Sequence, residues 1–121
     1  MSIENYGENS LKLFILTYLL EIMVNLFVYG TLRDNKVQKE VIGRTVKSIK
    51  DCLKGYKKST IKIEGEYYSA LIPSSSFTLE GLVLSVNAEE LKKIDEYETN
   101  AYKRKRIVLG GGKKAWVYLK A

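Results

Sequence analysis

The chain has 121 residues, 45% hydrophobic and 28% charged, the composition of one ordinary globular domain with a modest core. It contains no histidine and one cysteine, Cys52, which excludes Ser-His-Asp and Cys-His nucleophile systems, imidazole metal sites, four-thiolate clusters and any internal disulfide. Acid–base chemistry then falls to a carboxylate, a lysine or a tyrosine, and the lone cysteine points to a reducing compartment, the cytoplasm. The formal net charge is +6. Residues 1–24 hold one basic and three acidic side chains, so the rest holds 19 basic and 11 acidic, a net +8. That excess suits an anionic ligand or loose polyanion contact, and equally a lysine-rich solubilising surface; no specific nucleic-acid motif accompanies it.

Residues 1–24 read as an N-terminal extension to a domain spanning residues 25–121. Leu11 to Val24 is apolar over most of a helical circumference, but Lys12 and Glu21 interrupt it and it is too short for a membrane span. Its acidic leader and the lack of a small-residue cleavage site do not fit a signal peptide. Either it is a packing helix, or residues 1–22 precede a natural start at Met23.

The domain opens with a strand candidate, Leu26 to Tyr29, that breaks on Gly30 and turns polar at once. Asp34 to Ile42 is a helical turn or a loop. Lys47 to Gly55 alternates imperfectly, and Thr60 to Glu64 alternates cleanly. Tyr67 to Ile72 is a further strand candidate, closed by Pro73 and by Ser74 to Ser76, a run with turn chemistry. Gly81 to Val86 follows as another strand.

Asn87 followed by Glu90 is a capping box, and it predicts a helix from Ala88 towards Glu98. Leu91 and Ile94 mark its buried stripe. Glu98 falls four residues after Ile94, on the same stripe. A carboxylate kept from water there gains a raised pKa, which suits a general base. The competing expectation is that the helix frays by Glu98, whose side chain then turns outward or pairs with Arg104 or Lys103. Beyond it, Ile107 to Leu109 and Ala115 to Leu119 flank Gly110-Gly111-Gly112. These glycines open no helix, so they read as a hairpin turn and not as a phosphate cradle. The KRKR run from Lys103 to Arg106 reads as surface.

The order and spacing of Tyr29-Gly30-Thr31-Leu32-Arg33, Tyr68-Ser69-Ala70-Leu71-Ile72-Pro73, Glu80-Gly81, Asp95-Glu96-Tyr97-Glu98, Tyr102 and Arg104 resemble the gamma-glutamylcyclotransferase-like family. That family includes gamma-glutamylamine cyclotransferases and plant avirulence-induced-gene proteins. The resemblance implies an α+β fold: a small mixed β-barrel of about five to seven strands with one or two packed helices and a cavity at one end. It implies that Tyr29, Gly30, Thr31 and Leu32 bind the substrate and that Glu98 is the proton acceptor, with Tyr102 and Tyr118 as further substrate-lining candidates. The implied reaction releases an amine and 5-oxoproline from a γ-glutamyl compound, and no cofactor or metal is expected. Arg33 is either a charge for an acidic ligand or a solvated rim residue. Two positions depart from the family pattern: Thr99 stands where a glycine commonly follows the glutamate, and Ser69 where a proline is frequent. The loop after Arg33 is also short, which leaves substrate choice open. Two other readings remain, a non-catalytic barrel binding a small acidic metabolite or a protein partner, and a polyanion-binding module whose affinity falls steeply with salt.

Overall fold

The computed structural model describes residues 9–16 and 22–121. Residues 9–16 are helical and exposed; residues 1–8 and 17–21 lie outside the described residues, and with them most of the N-terminal extension. Among the described residues no helix is long and apolar enough to cross a membrane.

The domain is built from strands β1 (Val24–Val28), β2 (Ser48–Ile63), β3 (Glu66–Val86), β4 (Tyr102–Val108) and β5 (Lys114–Lys120), with helices α1 (Asn35–Ile42) and α2 (Ala88–Glu98). The strands form one curled sheet in the order β2-β3-β1-β5-β4. Every neighbouring pair is antiparallel except β1 and β5. This is the mixed α+β half-barrel that the resemblance implies, at five strands.

β1 is apolar on consecutive residues because both its faces are covered. Leu26 and Val28 pack with α1 and α2 in one core, whereas Phe27 packs with Leu53, Val83 and Val117 in the other. The opposing strand approaches so closely that a Cβ on Gly81 would collide with the Val28 carbonyl oxygen and the Phe27 ring. This steric limit accounts for the Glu80-Gly81 pair. On the next strand, at Asp51 and Cys52 opposite Gly81 and Glu80, the glycine turn between β4 and β5 docks on β2. Gly110 N donates to the Cys52 carbonyl (2.8 Å), and Gly111 N to Asp51 Oδ1 (3.1 Å). A side chain on Gly110 would run into Cys52 Sγ, so the hairpin glycines serve the closure of the curled sheet.

Three elements differ from the sequence expectation. Lys47–Gly55 and Thr60–Glu64 are parts of one long strand, β2, and Tyr67–Ile72 and Gly81–Val86 are parts of β3. The turn joining β2 to β3 lies at Glu64-Gly65, with φ of 50° and 83°, the double positive φ of a two-residue hairpin turn. Glu-Gly carries that signal more weakly than Asn-Gly or Asp-Gly. The Pro73–Ser76 segment does not end a strand. Between the pairs Lys54–Thr78 and Tyr56–Pro73, β3 sets four residues against Gly55 alone. This large bulge, with Gly55 at φ 85°, bends the hairpin beyond it. Pro73 is tolerated because β1 pairs only with Val86 to Leu82, leaving the other edge of β3 open at the proline.

The Asp34–Ile42 segment is a full helix. Asp34 caps it by accepting from Lys36 N (2.7 Å), and Gly43 closes it at φ 80°. Its buried face carries Gln38, whose Nε2 donates to the Leu32 carbonyl (2.8 Å) and whose Oε1 accepts from Val46 N (2.9 Å). Gln38 thereby ties the loop after β1 to the segment leading into β2. α2 shows the expected capping box between Asn87 and Glu90. Glu90 also takes a bidentate pair from Arg44, at 2.6 and 2.7 Å, which joins α2 to the end of α1.

Replacing Gln38 by leucine keeps the volume but orphans the Leu32 carbonyl and the Val46 amide. We expect a loss of about 2–4 kcal/mol in urea-denaturation stability.

Candidate functional site

A cleft of about 1240 Å³ opens where β1 runs out and the chain turns at Gly30. It brings together every residue singled out in the sequence: Tyr29, Gly30, Thr31, Leu32, Glu98, Tyr102 and Tyr118 all line it. Leu32 enters mainly as core, being 3% exposed. The loop turns through a short 3-10 segment, Thr31–Arg33, stabilised by Arg33 N and Asp34 N donating to the carbonyls of Gly30 and Thr31. The amides of Gly30, Thr31 and Leu32 have no acceptor among the described residues. A Cβ on Gly30 would meet nothing within 4 Å, so its backbone stands open to the cleft. Three donors at an open turn suit a carboxylate or a developing oxyanion.

α2 ends on Glu98, so the helix does not fray before it. The carboxylate is half-buried and makes no hydrogen bond or ion pair with a described residue. Arg104, one of its two expected ion-pair partners, is engaged elsewhere. Its Nε and Nη2 donate to Asp95 Oδ1 (2.6 Å) and Oδ2 (3.0 Å). The Tyr118 hydroxyl donates to the same Oδ1 (2.6 Å), and the Tyr29 hydroxyl donates to the Tyr118 carbonyl (2.7 Å). Asp95 lies one turn before Glu98, so β4 and β5 grip the end of α2. Thr31 Oγ1 and the Tyr97 hydroxyl share a 2.8 Å bond that joins the loop to the same turn.

The electrostatics follow from this packing. Burial raises the Glu98 pKa above the usual glutamate range, with no cation nearby to offset it. Burial also raises Tyr29, Tyr102 and Tyr118, and the Glu98 charge adds to each. These phenols remain protonated donors at neutral pH. Burial alone would raise Asp95 as well, but the Arg104 and Tyr118 hydrogen bonds outweigh it and hold that carboxyl low. Two carboxylates one helical turn apart are thus pushed in opposite directions, Asp95 held low by its hydrogen bonds and Glu98 raised by burial.

Sequence reasoning quoted Asp95 and Tyr97 within a motif but gave neither a role. The partners of both are at least nine positions away in the chain, and nothing local announces them. Ser69 lines the cleft too, and its carbonyl accepts from the Tyr102 hydroxyl (3.0 Å). Arg33 is exposed at the rim, with Nε on the Gly30 carbonyl (3.1 Å).

Fold and cleft together define a curled half-barrel protein with a cleft where β1 runs out. Residues 26–121 match the family model described as gamma-glutamyl cyclotransferase, AIG2-like, and the chain belongs to that family. AIG2-like protein A of Arabidopsis thaliana is 32% identical over 81 residues, covering 66% of this chain and 48% of the relative. The chain therefore spans about half the length of the curated relatives it matches. A solution structure of another Arabidopsis thaliana protein aligns with a TM-score of 0.69 at 27% identity, over 81% of this chain and 62% of that one. A structure titled gamma-glutamyl cyclotransferase shares the fold, with a TM-score of 0.61 at 15% identity over 82% of this chain and 67% of its own.

Thr99 follows Glu98 at φ 63° and ψ −171°, a region almost reserved for glycine. The glycine that the resemblance leads one to expect here would adopt this conformation without strain. Thr99→Gly removes strain of about 1–3 kcal/mol against a smaller entropic cost, so a net gain of about 1 kcal/mol in denaturation stability is expected.

Proposed function

We propose that the protein is a cyclotransferase that converts a γ-glutamyl amine or γ-glutamyl amino acid to 5-oxoproline and a free amine, with Glu98 as general base and then general acid. The observation that carries this reading is a half-buried, unpaired carboxylate sharing one cleft with the open amides of Gly30 to Leu32. Membership of the family supports the substrate class.

The substrate supplies its own nucleophile. Its α-amine attacks the γ-carbonyl carbon, a C–N bond forms, and the C–N bond to the leaving amine breaks. No water is consumed. Glu98 takes a proton from the α-ammonium to free the amine; as the lactam forms its nitrogen sheds a second proton, and the two end on the departing nitrogen, which leaves as an ammonium. Such transfer is typically worth about 10²–10⁴ in rate. The loop amides hold the α-carboxylate or the oxyanion, while Tyr29, Tyr102 and Tyr118 fold the glutamyl chain into ring-closing geometry, an effect of up to about 7–11 kcal/mol in model systems. A chain without histidine needs no activated serine or cysteine for this chemistry. Its single cysteine fits a cytoplasmic setting.

A panel of γ-glutamyl amines and γ-glutamyl amino acids, assayed for 5-oxoproline by mass spectrometry, tests the reading. Product is expected from wild type, and Glu98→Gln should lower kcat by at least about 10²-fold. Because the base must be ionised and its pKa is raised, activity should rise with pH through a midpoint above the ordinary glutamate value of about 4.3. A folded wild type that yields no 5-oxoproline from any member would refute the proposal.

A further inference from the structure

The hairpin beyond the bulge, residues 56–73, folds back to form part of the cleft wall. Its seat is visible on the opposite strands. The Tyr102 hydroxyl bonds the Ser69 carbonyl (3.0 Å), and Lys120 Nζ lies 4.9 Å from the centre of the Tyr68 ring. The arm reaches the Glu98 end of the cleft, because Tyr102 feels the Glu98 charge. Two of its residues line the cleft, Lys58 and Ser69. They are near neighbours across the arm: Lys58 stands opposite Leu71, and Thr60 opposite Ser69.

The arm carries three lysines, and the other two are occupied. Lys57 lies over the Phe77 ring and Lys62 over the Tyr67 ring, each at 5.4 Å. Lys58 makes no hydrogen bond, ion pair or ring contact with a described residue. None of the four acidic residues of the cleft pairs with it, and Glu98 makes no ion pair with a described residue. Asp34 caps α1, and Asp51 accepts from Cys52 N and Gly111 N. Glu80 stands opposite Cys52, on the far side of the bulge and diagonal to Lys50. An exposed ammonium group at the cleft wall, with no hydrogen bond or ion pair to a described residue, is a place for an anion on the ligand.

We propose that Lys58 determines specificity by pairing with a carboxylate on the leaving amine, so that the preferred substrates are γ-glutamyl amino acids or peptides and not simple γ-glutamyl amines. This inference rests on the cyclotransferase reading. With the α-carboxylate of the glutamyl half at the loop amides, one of the two roles proposed for them, the lysine is left to read the other half of the substrate. A lysine tip donating to a carboxylate is a charge-assisted contact, and discrimination on the order of tenfold is expected from one such contact.

The test compares γ-glutamylglycine with γ-glutamylmethylamine, which differ only in the carboxylate of the leaving amine, by the ratio of their kcat/KM values for 5-oxoproline release. Wild type should favour the glycine compound by about tenfold, chiefly through KM, Lys58→Arg should keep most of the preference, and Lys58→Met should bring the ratio to about one. Lys58→Glu should turn the preference towards γ-glutamylethylenediamine, whose leaving amine is cationic. A ratio near one in wild type, or a ratio that Lys58→Met leaves intact, overturns the role of Lys58 while the cyclotransferase reading stands. No 5-oxoproline from any of these substrates overturns both.

Discussion

Arg104 reaches from β4 with two parallel hydrogen bonds to Asp95, and Tyr118 adds a third from β5. This junction fixes the last turn of α2 against the sheet, and the proposed base is the residue that ends that turn. A bidentate guanidinium–carboxylate pair sets direction as well as distance. Lysine at position 104 would supply the charge without the fork. The same junction continues through the Tyr118 backbone to the Tyr29 hydroxyl, and so to the strand that leads into the Gly30 loop. Loop and helix end are held by a single set of contacts, with Tyr97 and Thr31 closing the other side.

Much of the fold was legible in the sequence where the signal was local. The capping box at Asn87 and Glu90 gave the start of α2, and the Leu91–Ile94–Glu98 spacing placed Glu98 on its inner side. The glycine triplet gave the β4–β5 turn, and the apolar run at Leu26 gave the central strand. What escaped had partners far along the chain. Gln38 looks like an ordinary polar helix residue until the Leu32 carbonyl and the Val46 amide are brought to it. Pro73 and the serines read as a terminator because the sequence does not reveal that their strand edge is open there. Their turn chemistry survives as the bulge that bends the arm. Glu64-Gly65 hid the true hairpin turn, since glutamate is not a residue that announces positive φ.

The cleft divides into two functional halves. The loop after β1 and the end of α2 form one half, built on a braced junction that suits chemistry requiring fixed geometry. The bent arm supplies part of the other half, seated by the Tyr102–Ser69 hydrogen bond, the Lys120–Tyr68 ring contact and the packing of Tyr56 and Leu71 on the second core. In this reading, variation in the arm can alter what is accepted without disturbing the proposed chemistry. The absence of histidine fits the same division: a substrate that carries its own nucleophile asks the protein for orientation, donors and one carboxylate of suitable pKa.

Whether the α-amine or water attacks the γ-carbonyl separates a cyclotransferase from a hydrolase built on the same carboxylate. Turnover of a γ-glutamyl substrate in oxygen-18-labelled water, followed by mass spectrometry, decides it. The account predicts unlabelled 5-oxoproline with no labelled glutamate, because no water enters the products. Labelled glutamate as the first product would contradict it.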